Sequence, residues 1–342
     1  MRRWVGMGYV FLGLGLSLAL VVLGLGVGSA GFDHGLMVFW HASAEATDEV
    51  LAQQILWEIR LPRTLGAWAA GALLGLAGAL AQGLFRNPLA DPYLLGSASG
   101  ASVAVAMALA VLGGGRTPPS GWLHLGLTGV AFLGAVLAVG LTLLLSRGVG
   151  HRLRLLLSGV VVGVVLGAAT QLVLLFAPNA LLAMQGFLLG STAFVGWTST
   201  LLMGAVWAGC VLVASLLARL LDGLSLGDAT ALSLGLRVGP LRWALMGVLA
   251  LCTGTAVAQT GLIGFVGLAA PHLVRSLVKS TQVHWMVLSS LAGGVLLLAA
   301  DILARGLIAP QELPVGVLTA VLGGGYLLWL MHRGPLGQGA ET

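Results

Sequence analysis

The sequence predicts an all-α membrane protein with about ten transmembrane helices, and three observations carry that expectation. Of 342 residues, 58% are hydrophobic and 8% charged, against roughly 25% charged in soluble domains. Most of the surface must therefore meet something other than water, as the mean hydropathy of +1.03 also indicates. The apolar residues fall into ten runs near the ~20 residues that a spanning helix needs. Alternating strands for a barrel are absent, so backbone groups inside hydrocarbon must be satisfied within helices.

Taken in order, the runs lie near residues 4–30, 64–84, 93–113, 122–145, 154–176, 194–218, 241–260, 262–278, 284–304 and 314–332. The first follows Arg2 and Arg3 and ends in small residues, as a signal peptide would. It exceeds the ~7–15 residues of a signal core, so an uncleaved first span is the better reading. Residues 31–59 then form a loop outside the membrane. Within the spans, Gly71, Gly75 and Gly78, and Gly96 with Gly100, are spaced to let helices pack closely. The whole chain, 1–342, reads as one transmembrane domain without a strong internal repeat.

Basic residues set the orientation. With the N-terminus inside, Arg2, Arg3, Arg86, Arg147, Arg152, Arg154, Arg219, Arg237, Arg242, Arg275, Lys279 and Arg333 are cytoplasmic. Arg60, Arg63, Arg116 and Arg305 are left outside, and this asymmetry is the one membrane insertion favours. Ten spans return the C-terminus to the cytoplasm. The net charge of +5 and pI near 10.0 come from these short turns and do not indicate nucleic-acid binding. Cys210 and Cys252 lie inside apolar runs and the seven histidines are scattered. Neither a disulfide framework nor a metal site is indicated.

The chain shows little that could supply energy for transport. Ionisable groups kept in a membrane mark ion relays, but Asp91, Asp301 and His272 all fall near span ends. A P-loop needs GxxxxGK[ST], and the only lysine, Lys279, follows Val278. The chain is either passive or driven by a partner; an ion-coupled secondary transporter is the alternative. An enzyme would need a paired nucleophile and base, which is not found. One cytoplasmic stretch, 219–240, has too many glycines and polar residues to span, yet it carries Leu226, Leu232, Leu234 and Leu236. Ser225 to Asp228 has the form of a helix N-cap, Gly235 of a helix end, and Pro240 of the next helix's first turn. A short surface helix covered by another protein is expected there; the alternative is an amphipathic segment resting on lipid, against which the lack of a lysine-rich polar face argues.

Five segments taken together, IRLPRTL (59–65), FRNPLADPYLLGSASGAS (85–102), LSLGDATALSLGL (224–236), GLIGFVGLAAPHLVR (261–275) and ADILARGLIAPQELPVGVLTAVLG (300–323), resemble the FecCD-type permease subunits of ABC importers for iron-siderophores, haem and cobalamin. Leu262 and Gly325 stand where that family commonly has proline. The resemblance implies a type II importer permease bundle in the bacterial cytoplasmic (inner) membrane. It would pair with a second permease copy or a paralogue, two cytoplasmic ATPase subunits and an extracytoplasmic substrate-binding protein. ATP and magnesium would be held by the ATPase partner, and no cofactor by this chain.

The resemblance also implies roles for single residues. Ser225, Leu226, Gly227, Asp228, Leu232, Leu234 and Gly235 would form the element that couples to the ATPase. Arg60, Arg63 and Arg305 would face acidic groups of the binding protein, although Asp301, one helical turn before Arg305, can neutralise it. In the short turn RNPLADP (86–92), Asn87 and Leu89 are gate candidates. Span five, the following residues 177–191 and span ten would line an apolar pathway with occasional Ser, Thr, Gln and Met. Pro271, His272 and Arg275 read more simply as a helix end than as a ligand site.

Overall fold

The computed structural model describes residues 2–28, 31–32, 50–51, 53–112, 121–146, 152–225, 230, 233, 238–278 and 281–333. Among these, the α-helices are α1 (Arg2–Gly26), α2 (Leu61–Phe85), α3 (Ser97–Val111), α4 (Gly121–Leu145), α5 (Arg152–Phe176), α6 (Leu181–Leu189), α7 (Trp197–Ser225), α8 (Val238–Thr260), α9 (Val266–Leu277), α10 (Gln282–Gly306) and α11 (Val315–Arg333). Each of the ten predicted runs contains an α-helix among the described residues. The additional helix, α6, lies in the stretch expected to follow span five. Successive long helices run between two faces of the bundle, called here near, where α1 starts, and far, where it ends.

Seven helices among the described residues are long and apolar enough to cross a bilayer, whereas α3, α6 and α11 belong to shorter apolar segments. The twelve residues of α9 rise only about 18 Å. Spans three and eight are completed by non-helical backbone: a 3-10 turn, Pro92–Leu95, before α3, and residues 261–265 before α9. Such backbone survives at membrane depth only when protein satisfies it. Here Leu262 N donates to Phe187 O (3.0 Å), Ser191 N to Thr260 O (2.8 Å) and Gly316 N to Gly190 O (3.3 Å), and Tyr93 Oη donates to Ile263 O (3.1 Å). Gly261 (φ 69°) and Phe265 (φ 67°) make the reversal. The break thus forms with Leu262 in place of proline, and α11 runs unbroken through Gly325.

Helix α2 is the hub, packed against α10, α8, α7 and α9 and buried on all sides, as expected of a helix apolar all round. The Gly71, Gly75, Gly78 stripe explains how close its neighbours come. A Cβ at Gly71 would lie 2.3 Å from Gly293 O, at Gly75 2.2 Å from Ser289 O, and at Gly78 1.6 Å from Gly267 O. Pro271 has no N–H to offer the carbonyl of Gly267 four residues earlier, and it is this carbonyl that lies over Gly78. Across α3 and α4, Gly100 and Gly134 pair in the same way. Polar side chains close further gaps: Trp207 Nε1 donates to Ser290 Oγ (2.7 Å), which donates to Ala72 O (2.9 Å), and Trp68 Nε1 donates to Ser17 Oγ (3.0 Å).

Two local expectations are corrected. Ser225 does not stand ahead of the short helix as its N-cap; α7 runs through it, because Leu221 still packs in the core and carries the helix onward. Span two also starts earlier than its apolar run, since a π-helical turn, Ile55–Arg60, leads straight into α2. Within residues 31–59, Gly31–Phe32 pairs antiparallel with Val27–Gly28; most of that loop lies outside the described residues.

Candidate functional site

At the far face four charged side chains meet from distant parts of the chain. Arg63, on the first turn of α2, grips Glu312 with both ends of its guanidinium: Nη1 donates to Oε1 (2.9 Å) and Nη2 to Oε2 (2.8 Å). The same Nη2 lies 3.3 Å from Asp301 Oδ1. Asp301, on α10, also accepts hydrogen bonds from Arg305 and from the hydroxyl of Thr192. Arg305 Nη1 reaches Gly24 O (3.3 Å) and Thr64 Oγ1 (3.4 Å). Two arginines and two carboxylates balance, as groups this deep require: Asp301 is 0% exposed and Arg305 1%.

Arg63 and Arg305, expected as surface cations, are therefore turned inward. The reason is Glu312, which sequence reasoning passed over although it lies in the quoted segment ending span nine. Thr192 was missed too, having no signal beyond its place after α6. Arg60 sits beside them, with Nη1 donating to Leu25 O (3.1 Å). Trp57 and Trp197 lie against each other at 5.4 Å between ring centroids on this face, a usual place for tryptophan at a membrane interface.

At the near face the turn after α2 is held by its own side chains. Arg86 ends α2 in the left-handed conformation (φ 49°). Asn87 Oδ1 accepts from Leu89 N (2.9 Å), which leaves the Leu89 side chain 52% exposed. Asp91 caps the following 3-10 turn by accepting from Tyr93 N (2.7 Å). Burial pushes its carboxyl above the ordinary range, against the lowering effect of that N–H. Pro92 packs over Gly267, where a Cβ would lie 2.5 Å from Pro92 Cγ. The turn is thus fixed to the start of α9. Arg275 ends α9 with its guanidinium 4.2 Å from the Trp285 ring centroid, as a helix-end residue rather than part of a ligand cluster.

Of the stretch expected to couple to an ATPase, Leu226, Gly227, Asp228, Leu232, Leu234 and Gly235 lie outside the described residues. Thr230 and Ser233 are helical, and Ser233 Oγ donates to Thr230 O (2.8 Å). The elements expected to line a pathway, α5, α6 and α11, expose leucine and valine along much of their length. Gln171 on α5 and Gln185 on α6 are also exposed, polar among apolar neighbours.

Known proteins with these features are permeases. Residues 16–333 match the FecCD transport family. Over 281 residues the chain is 39% identical to the hemin transport system permease protein HmuU of Yersinia pestis, covering 81% of this chain and 83% of that one. It is 38% identical over 285 residues to the vitamin B12 import system permease protein BtuC of Vibrio cholerae, covering 83% and 84%. Among solved structures, a metal-chelate type ABC transporter in an inward-facing conformation superposes with a TM-score of 0.80 at 28% identity, over 96% of this chain and 99% of the other. PsaBC of Streptococcus pneumoniae, in complex with a Fab, shares the fold with a TM-score of 0.58 at 18% identity, over 86% and 98%. With its helical hub, its broken spans and this match over nearly its whole length, the chain is a membrane permease that belongs to the FecCD transport family.

Proposed function

We propose that the chain is the transmembrane subunit of an ATP-driven importer that carries a metal chelate or corrinoid, a siderophore, haem or cobalamin, across the cytoplasmic membrane by alternating access. The observation that carries this reading is the similarity to both a hemin and a vitamin B12 permease, each over more than four fifths of both chains. Two copies enclose the pathway along α5, α6 and α11; the exposed Gln171 of α5 and Gln185 of α6 are too costly to leave in lipid. The near face is cytoplasmic, from the excess of basic residues there, and both termini lie on that side.

ATP is bound and hydrolysed in two separate subunits at the near face. They contact the segment Ser225, Leu226, Gly227, Asp228, Leu232, Leu234 and Gly235, and its movement tilts the spans. A substrate-binding protein docks at the far face, where its acidic groups meet Arg60 and take the place of Glu312 on Arg63, which fixes register. Arg305 lies beneath the surface and acts through Asp301 and Arg63. Asn87 and Leu89 narrow the inner mouth; support for this is the exposed Leu89 side chain on a turn braced by Asn87.

Changing Asp228 and Leu232 together to arginine tests the coupling assignment. The ATPase should co-purify at least about tenfold more weakly, the scale of a lost interface anchor, while the permease alone keeps its yield and thermal stability. Unaltered assembly and transport would count against the assignment.

A further inference from the structure

The four-charge cluster at the far face does more than neutralise itself. We propose that Glu312 is the release point of a latch that holds the far end of the pathway shut, an inference that rests on the alternating-access reading. Four elements meet at the cluster. Arg63 belongs to α2, and Asp301 and Arg305 to α10; these two helices are locked together by backbone contact at Gly71, Gly75 and Gly293. Thr192 belongs to the segment that follows α6, and Glu312 to the segment that leads into α11. Each pathway-side helix is thus tied to the rigid pair by one side chain, Thr192 to Asp301 and Glu312 to Arg63. Beside them, Gly316 N donates to Gly190 O (3.3 Å) and Leu313 N to Ala304 O (3.0 Å).

The two limbs differ in their access to water. The Asp301–Arg305 limb is sealed, with side chains 0% and 1% exposed. In the Arg63–Glu312 limb they are 11% and 23% exposed, so this is the bond that water or an incoming carboxylate can replace. Asp301 lowers the cost of replacement: with Oδ1 3.3 Å from Arg63 Nη2, it keeps that arginine beside a carboxylate when Glu312 leaves. Glu312, moving outward, carries the entry of α11 with it. Breaking an ion pair normally strands a buried charge; here Glu312 moves into water and Arg63 keeps Asp301, which it shares with Arg305 until an incoming carboxylate restores the balance. Glu312 is a positioning residue, since it holds the gate and need not touch cargo.

Val195 reports on the latch. It is 4% exposed and packed on Gly66 of α2, where a Cβ would lie 2.3 Å from Val195 Cγ1. A cysteine at 195 should therefore react slowly with a charged, membrane-impermeant thiol reagent in full-length protein reconstituted in nanodiscs. Adding Glu312→Gln should raise that rate about tenfold, by shifting a two-state equilibrium toward the open form, and Glu312→Asp should largely restore it. Cys210 and Cys252, both buried, should stay unlabelled throughout. An unchanged rate at 195, or a rise shared by Cys252, would overturn the latch. The measurement needs neither ATPase nor cargo, so its failure would leave the importer reading to its own transport test.

Discussion

Gly78→Val is expected to be the most damaging single substitution in the chain. A Cβ there would lie 1.6 Å from the carbonyl oxygen of Gly267, a backbone atom that no rotamer change can move. The valine must push α9 off α2, and α9 is held on its other side by α10, where Trp285 Nε1 donates to Pro271 O (3.2 Å). Overpacking usually costs about 1–3 kcal/mol; with backbone on both sides of the contact, the loss should reach or exceed the upper end. Gly209→Ala in α7 is the matched control, because a Cβ there meets nothing within 4 Å. It should be neutral or stabilise by up to ~1 kcal/mol through helix propensity. Folded yield by size-exclusion chromatography and thermal unfolding in detergent measure both. A well-folded Gly78→Val protein would show that the α2–α9 contact is looser than described.

The second large effect concerns Asp301. Asp301→Ala would leave Arg305, 1% exposed, with only Gly24 O and Thr64 Oγ1 as partners. The cluster would then hold two arginines against Glu312 alone. Removing one member of a buried pair costs about 3–5 kcal/mol, whereas replacing both by apolar groups is often neutral. Asp301→Ala with Arg305→Met should therefore be more stable than Asp301→Ala by itself. Thermal unfolding of the two single variants and the double variant forms the cycle. Additive losses would mean that the two residues do not act as a pair.

Much of this was legible in the sequence because a bilayer imposes a length and an apolar composition on whatever crosses it. Each of the ten runs contains an α-helix for that reason. The half-length helices were not legible: residues 93–113 and 262–278 both open on apolar residues, and only tertiary contacts show that these first residues lie outside the α-helix. Leu262 N can leave a helix because Phe187 O, from α6, accepts its hydrogen bond. Small α6 itself went unseen, since nine residues rise only about 13 Å. The glycine stripe was readable as a packing surface, but not the Gly267 and Gly293 backbones that fill it. At the far face the arginines were found and their burial was not. Burial depends on Glu312, which lies 249 residues from Arg63, and no local spacing signals such a pairing. The sequence did show that Asp301 could neutralise Arg305, because those two are a single helical turn apart.

The proposed importer is driven by ATP hydrolysis in a partner rather than by an ion gradient. Uptake into proteoliposomes tests it most directly, with haem, ferric siderophore and cobalamin each offered together with a binding protein. With the permease, its ATPase and ATP, one of these cargos should accumulate against its gradient. Without ATP, accumulation should vanish even under an imposed proton or sodium gradient. Concentration of solute by the permease alone, driven by such a gradient, would rule out ATP as the driver.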